Sequence, residues 1–232
     1  MKSFLTLYSI LFTSLFIAQN SCINFGANSS GLCFGNPFHH NGIKLNTIDK
    51  NVNKVNGINL AILSRSKTVN GLSIGLFAAL DSCSNGIKIS CLGSDAGYHN
   101  GLVIGGLNII GEKINGVGVA LWTVSADTMN GVFLSLNGGV SKWSTRDTIK
   151  LLNGVAVGML DVSVKNMNGF ATSLIFNNFE KMNGISISLV NKTKTLHGFQ
   201  FGLINYAANN KALFQWIPFF NFNFKKPKEG ES

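Results

Sequence analysis

The chain has 232 residues, of which 45% are hydrophobic and only 12% are charged, with a formal net charge of +9. The hydrophobic share excludes a largely disordered protein, and the low charged share is unusual for a soluble domain.

The first 21 residues have the pattern of an export signal. Lys2 is followed by an apolar stretch from Phe4 to Ala18, which is shorter than a comfortable membrane span. Ordinary cleavage after Ala18 and lipoprotein processing before Cys22 are both open, and a retained anchor is a third alternative. We therefore predict a signal peptide over residues 1–21 and a protein at the cell surface or outer membrane, or secreted.

Export permits disulfides among the four cysteines. Cys22 and Cys33 flank a Gly- and Ser-rich stretch and could pair, but the sequence does not settle the connectivity. Cys83 lies in a polar linker. Cys91 takes a position where other repeats carry Leu, Val or Met, so we expect a buried thiol. No C-x-x-C is present and the histidines lack ligand spacing, so no metal and no cofactor are predicted.

Residues 22–40 precede the repeat and are predicted to form an N-terminal cap, because the terminal coils of a repeat protein must be covered. Phe25, Phe34 and Phe38 are the side chains expected to plug the core.

Residues 41–210 form a repeat domain. Asn-Gly pairs recur every 14 or 15 residues, apart from one interval of 23, and a fixed short period is typical of repeat architectures. The long interval holds an insertion around residues 138–149, which contains Trp143 and Arg146. The pairs begin at Asn41, Asn56, Asn70, Asn85, Asn100, Asn115, Asn130, Asn153, Asn168 and Asn183.

Each unit reads Asn-Gly followed by alternating apolar and small residues, then a polar stretch. In the unit that starts at Asn70, the apolar positions three, five and seven are Leu72, Ile74 and Leu76, and position six is Gly75. Alternation with period two is typical of a strand with one buried face. We expect the bulky apolar face to be the buried one.

Two architectures fit this pattern. In a parallel β-solenoid of about ten 15-residue coils, equivalent strands stack, asparagines form amide ladders and glycines make corners. In the alternative, each Asn-Gly is a hairpin turn, giving an antiparallel β-sheet or a small outer-membrane β-barrel. The uniform sense of the units favours the all-β solenoid.

Residues 211–224 depart from the repeat and are dense in aromatic side chains, so they are predicted to form an aromatic C-terminal cap over the last coil. Trp216, Phe219 and Phe220 are alternatively a membrane or partner contact. Residues 225–232 are expected to be a disordered basic tail.

No residue cluster has the spacing of a catalytic site. The acidic residues fall mostly in linkers without a fixed pair for acid–base chemistry, and no phosphate-binding or nucleophile motif is complete. We predict that the protein is not an enzyme.

One segment resembles a known family. Gly198-Phe-Gln-Phe-Gly-Leu-Ile-Asn205 and the ending Trp216-Ile-Pro-Phe-Phe-Asn-Phe-Asn-Phe224 are similar to the Gly-Leu-Gln-Ile-Gly-Leu-Ile-Asn units and terminal segment of the bacterial leptospiral-type surface-repeat proteins. The resemblance covers roughly residues 41–224 and implies export to the surface or outer membrane. It implies no established activity, so no functional residue carries over.

The expected function is a structural or adhesive role at the bacterial cell surface. A small outer-membrane barrel and a carbohydrate-binding module using Trp143 or the aromatic C-terminal segment are the alternatives. The basic charge makes anionic envelope lipid or polysaccharide the expected partner and not nucleic acid. A solvated basic face is the other explanation of that charge, and the sequence leaves the oligomeric state open.

Overall fold

A computed structural model describes residues 22–27, 29–138 and 149–225. The chain is nearly all β and forms a parallel β-solenoid of about eleven coils, which confirms the predicted fold class. The predicted signal peptide, the insertion residues Trp143 and Arg146, and the basic tail after Lys225 lie outside the described residues. The coils fall into two compact units, residues 1–106 and 107–232.

The described part of unit 1 contains seven strands in chain order. They are β1 (Cys22–Phe25), β2 (Ser30–Gly35), β3 (His39–Ile48), β4 (Val52–Ser64), β5 (Ser66–Ala79), β6 (Cys83–Ser90) and β7 (Gly93–Gly105). Strand β1 pairs antiparallel with β2, and from β2 onward each strand pairs parallel with the next.

Unit 2 contains six described strands and a short 3-10 helix, Ala212–Phe214. The strands are β8 (Asn108–Ala120), β9 (Thr123–Gly138), β10 (Ile149–Ser173), β11 (Phe176–Ile187), β12 (Val190–Ala207) and β13 (Trp216–Asn223). Strand β10 carries two Asn-Gly pairs, and the strands from β8 to β12 pair parallel. Strand β13 turns back and pairs antiparallel with β12.

The register stacks each Asn-Gly pair on the same pair of the neighbouring coil. The Asn70 side chain donates to Asn56 at 2.8 Å, and Asn85 donates to Asn70 at 2.8 Å. The same ladder in unit 2 joins Asn168 to Asn153 at 2.7 Å. The alternative of an antiparallel sheet or barrel is therefore wrong for these coils, since copies of the motif lie side by side in one direction.

The stack begins one coil earlier than predicted. Ser30 and Gly31 lie opposite Asn41 and Gly42, so a Ser-Gly pair starts the series. Phe25 and Phe38 are 64% and 65% exposed. The expectation that these rings plug the core is wrong, because β2 is itself a coil strand and closes the interior with its own inward residues.

The two faces of each strand are reversed relative to the prediction. In β5, Ser73 and Gly75 are buried, whereas Leu72 and Ile74 are partly exposed and Leu76 is 59% exposed. The small or polar residues therefore face inward and the bulky apolar residues face outward.

The narrow interior of a coil explains this reversal. Ser73 Oγ donates to Asp81 Oδ2 at 2.8 Å, so two short side chains span the interior within one coil. A Cβ added at Gly75 would lie 2.1 Å from the carbonyl oxygen of Ala78. A bulky side chain at Gly75 would therefore overlap the opposite leg of the coil, and close-packed interiors do not tolerate such overlap.

The residue before each Asn-Gly or His-Gly pair lies in the remaining interior. Val69, Met129, Met167 and Leu196 are all buried.

Two of the cysteine expectations can be resolved. Cys22 and Cys33 form a disulfide with a Cα–Cα distance of 5.9 Å. Cys91 is exposed, so the prediction of a buried thiol is wrong. Its position is the seventh of the repeat, which points outward like Leu76. Within the described ranges, no helix is long and apolar enough to cross a membrane.

Candidate functional site

Unit 1 presents a continuous apolar surface, here called wall 1. It consists of the outward-facing residues of consecutive strands. The register of the strands places each of these residues beside the residue at the same repeat position of the next strand. Leu72 lies between Ile58 and Ile87, and Ile87 lies beside Leu102. Wall 1 comprises Ile23, Phe25, Leu32, Phe34, Ile43, Leu45, Ile58, Leu60, Ile62, Leu72, Ile74, Leu76, Ile87, Ile89, Leu102 and Ile104.

Unit 2 presents an equivalent surface, wall 2, that contains more aromatic residues. Val132 lies beside Val155, and Ile185 lies beside Phe199. Leu174 is 62% exposed. Wall 2 comprises Val117, Val119, Leu121, Val132, Leu134, Leu136, Val155, Val157, Met159, Phe170, Leu174, Ile175, Ile185, Ile187, Leu189, Phe199, Phe201, Leu203, Phe220, Phe222 and Phe224.

Strand β13 extends wall 2. Phe222 lies opposite Phe199 and Phe220 lies opposite Phe201, with both β13 rings facing outward. Between them the chain turns Asn221 inward, where it accepts a hydrogen bond of 2.8 Å from Asn210. The backbone of the C-terminal segment therefore pairs with β12, the last coil strand. Its side-chain amides face the interior, and its aromatic rings do not.

The three described candidate interaction residues fall on this segment. Phe220 belongs to wall 2. Trp216 is 60% exposed, with its ring centroid 4.5 Å from that of Tyr206. Phe219 is 70% exposed and has a φ of 69°, an unusual conformation for a bulky residue. The structure brings these three residues together at one end of unit 2. The other two candidates, Trp143 and Arg146, lie outside the described residues.

An open groove of about 1010 Å³ lies beside them in unit 2. Aromatic rings and amide side chains line it together, including Trp216, Phe214, Asn209 and Asn221. This combination of flat apolar rings and amide donors and acceptors suits a ligand with both hydroxyl groups and apolar faces.

A second outward face adjoins each wall at the Asn-Gly corner, and it is polar. In unit 2 it carries lysines two or three residues before the asparagine, including Lys113, Lys150 and Lys181. Two of the acidic residues on this face are paired, Asp127 with Lys150 and Glu180 with Lys194, each at 3.3 Å. The polar side of each coil is therefore charged, whereas the wall holds no charged residue.

The interior of unit 1 contains two ion pairs that are fully shielded from solvent. Lys44 pairs with Asp49, and Lys88 lies 3.7 Å from Asp81. Burial lowers the pKa of both lysines, while the partner carboxylates oppose that shift. Asn59 also contacts Lys44, at 2.7 Å.

His99 is buried in the same interior. Burial and the nearby Lys88 ammonium lower its pKa to about 4. The imidazole is therefore neutral at ordinary pH, and it occupies the position where other coils carry Val, Ile, Met or Leu.

The interior of unit 2 near its C-terminal end is an amide and hydroxyl network. Asn177 donates to Asn191 at 3.2 Å, and Asn191 donates to Asn205 at 2.9 Å. Ser173 and Ser186 contribute hydroxyl groups to the same chain. These buried polar groups satisfy one another across neighbouring coils, as buried amides must.

In the described residues, the buried charged groups do not converge on an open reaction site. The buried carboxylates of Asp49 and Asp81 are held by lysines inside the coil, away from solvent. In the part of the chain that the structure describes, no group of three or more His, Cys, Asp or Glu side chains could hold a metal ion. The walls are thus the most extensive chemical feature on the outside of each unit.

Comparisons with protein families, with curated proteins and with solved structures find no match for this chain.

Sequence reasoning found the repeat but missed the walls. Hydrophobicity alone predicts that Leu72 and Ile74 lie in the core. The signal that could have placed them outside is position six, which is Gly, Ala or Ser in every unit after the one that starts at Asn41 and leaves no room for a bulky side chain there.

Proposed function

We propose that this protein is a non-enzymatic, exported repeat protein with a structural or adhesive role at the bacterial cell surface or outer membrane. The observation that carries this proposal is the apolar wall of each unit, repeated coil after coil and flanked by a charged face. Exposed apolar surface on this scale is typical of a protein–protein or membrane contact.

The disulfide supports export, because disulfides persist in oxidising compartments outside the cytosol. It also bears on processing. Lipoprotein maturation would attach lipid to the Cys22 sulfur, whereas here that sulfur is bonded to Cys33. The proposal therefore includes ordinary signal cleavage and a mature chain without a lipid anchor.

Fractionation of cells that express the full chain tests the proposal. We expect the protein in the envelope or medium and accessible to protease added to intact cells. Intact-mass measurement should give a chain shortened at the N terminus, without acyl groups and two hydrogens lighter than its reduced form. A full-length cytosolic protein would overturn the proposal, and an acylated Cys22 would overturn the processing step.

A carbohydrate-binding role is a second candidate, favoured by the groove that Trp216 and Asn209 line. Glycan-array binding that Trp216→Ala abolishes would support it. Trp122, 47% exposed and outside that groove, supplies the matched control Trp122→Ala. Binding that is absent, or equal in both variants, would remove this candidate.

A further inference from the structure

We infer that wall 2 is a lipid-binding surface that rests on an anionic bilayer, with the lysines of the adjoining face contacting the headgroups. This inference rests on the proposed envelope function and names the partner of its apolar surface. The argument uses only unit 2.

The residues of wall 2 are surface residues of unit 2 and are not part of its core. Unit 2 has its own interior, filled by residues such as Met129, Met167 and Met182, each at most 1% exposed. The wall residues lie on the opposite side of the same strands, and Leu174 and Phe222 keep 62% and 51% of their surface exposed. The coils therefore do not need the wall for their own packing, and its apolar surface remains for another occupant.

The chemistry of the wall suits hydrocarbon. Apart from Thr172, its residues are aliphatic or aromatic along the run from Val117 to Leu203, and β13 adds Phe220, Phe222 and Phe224. Lys225 follows directly after the last of these rings. Aromatic rings beside a cationic side chain are typical of protein segments at the boundary between acyl chains and headgroups.

The charge of unit 2 selects the kind of bilayer. The described part of unit 2 contains eight lysines and four acidic residues, and two of those four are already paired with lysine. Lys113 and Lys181 precede their asparagines by two residues, so each lies about 7 Å of extended chain from the corner where the wall begins. Lysine side chains can bend toward such a boundary while their stems cover apolar surface.

This surplus of positive charge disfavours a second copy as the occupant. Two walls packed face to face would bring two lysine-rich borders together, and like charges at close range repel. Anionic headgroups would instead attract each lysine near the surface. An anionic bilayer therefore covers the apolar residues of wall 2 and also attracts the lysines beside it.

Vesicle co-sedimentation of the purified mature chain tests the inference. The probes are vesicles of phosphatidylcholine alone and of phosphatidylcholine with phosphatidylglycerol, each at low and high salt. We expect binding to the anionic vesicles, weakened by salt, and much weaker binding to the neutral vesicles.

The wall variant is Leu174→Asp with Ile175→Asp, and the control is Asn178→Asp, which places one carboxylate on an exposed position of the adjoining face. Two carboxylates pressed into lipid should lower affinity by more than about tenfold. The control should lose no more than about fivefold, since it changes one charge near the headgroups. Circular dichroism of both variants should match the parent, because the substituted side chains are exposed.

Four results would overturn the inference. They are no binding to either vesicle, equal binding to neutral and anionic vesicles, equal effects of the wall and control variants, and a stable dimer in solution that the wall variant dissociates. Since these measurements use purified protein, they can fail while fractionation still places the protein at the envelope. A cytosolic location would instead remove the proposed function itself.

Discussion

The side chains of Lys44 and Asp49 form an ion pair inside unit 1, and neither is exposed to solvent. Asn59 Nδ2 donates to the second oxygen of the same carboxylate at 3.0 Å, so the pair is embedded in a hydrogen-bonded chain. Removing one charge of a buried pair leaves the other uncompensated, which costs far more than the loss of an exposed pair.

We expect Lys44→Met to lower the free energy of unfolding by about 3–5 kcal/mol. Lys150→Met is the matched control, because Lys150 pairs with Asp127 at 3.3 Å on the surface, where both side chains are largely exposed. That control should cost no more than about 1 kcal/mol. Urea unfolding of the full mature chain measures the loss of stability in both variants. Equal losses would contradict the burial of the Lys44–Asp49 pair.

The assignment of inner and outer faces can be tested with two adjacent residues of β10. Ala171 is 0% exposed, and its neighbour Thr172 is only partly buried on the wall side. Ala171→Leu overpacks the narrow interior and should cost about 1–3 kcal/mol. Thr172→Leu should change stability by no more than about 0.5 kcal/mol. Thermal unfolding with the opposite ranking would mean that the faces are inverted.

The glycines of the Asn-Gly corners lead to a separate prediction about stability. Gly131 has a φ of +132°, and a Cβ there would lie 1.9 Å from the carbonyl oxygen of Gly116. Gly131→Ala should therefore destabilise the protein by at least about 2 kcal/mol, because it forces backbone strain and displaces the neighbouring coil. At Gly118 a Cβ would first meet the Phe133 ring at 3.0 Å, and a side chain can move. Gly118→Ala should cost less in chemical denaturation, and a larger cost would contradict this difference.

The asparagine ladder should be weaker at its end than in its middle. Asn168 donates to Asn153 at 2.7 Å and accepts from Asn183 at 2.8 Å. The next coil places His197 beside Asn183. Replacing Asn168 by Ala removes two ladder bonds, and Asn183→Ala removes one. At about 1 kcal/mol for each bond, we expect Asn168→Ala to cost roughly twice as much in equilibrium unfolding. Equal costs would show that the ladder does not act as a chain.

The lowered pKa of His99 predicts that the stability of the protein depends on pH. Its pKa in the folded protein is about 4, below the ordinary value of 6.5, so the unfolded chain binds more protons between these values. The stability contributed by the neutral ring is complete above pH 6.5 and is lost as the pH falls toward 4. The loss is on the order of 3 kcal/mol.

His99→Met introduces a residue that other coils carry at this position, such as Met129, and cannot be protonated. It should flatten the slope of stability against pH between 4 and 6.5. Urea unfolding across this range, compared with the parent chain, gives the measurement. An unchanged difference between parent and variant at all pH values would contradict a titrating His99.

The sequence by itself determined the repeat architecture. The spacing of the Asn-Gly pairs from Asn41 to Asn183 and the uniform sense of each unit predict coils stacked in parallel, because equal segments can lie in register only if they run the same way. The ladder of asparagines and the glycine corners followed from side-chain chemistry and backbone conformation.

Only the tertiary structure decided which face of each strand lies inside, which cysteines pair and how β13 closes the last coil. The alternation of residue types shows that the two faces of a strand differ. It does not show how wide the space beside each face is. Ser73 reaches Asp81 across a single coil, so this part of the interior is filled by short polar side chains, and Leu72 and Leu76 lie outside. That distance arises from the closure of the coil on itself, which no local pattern of residues contains.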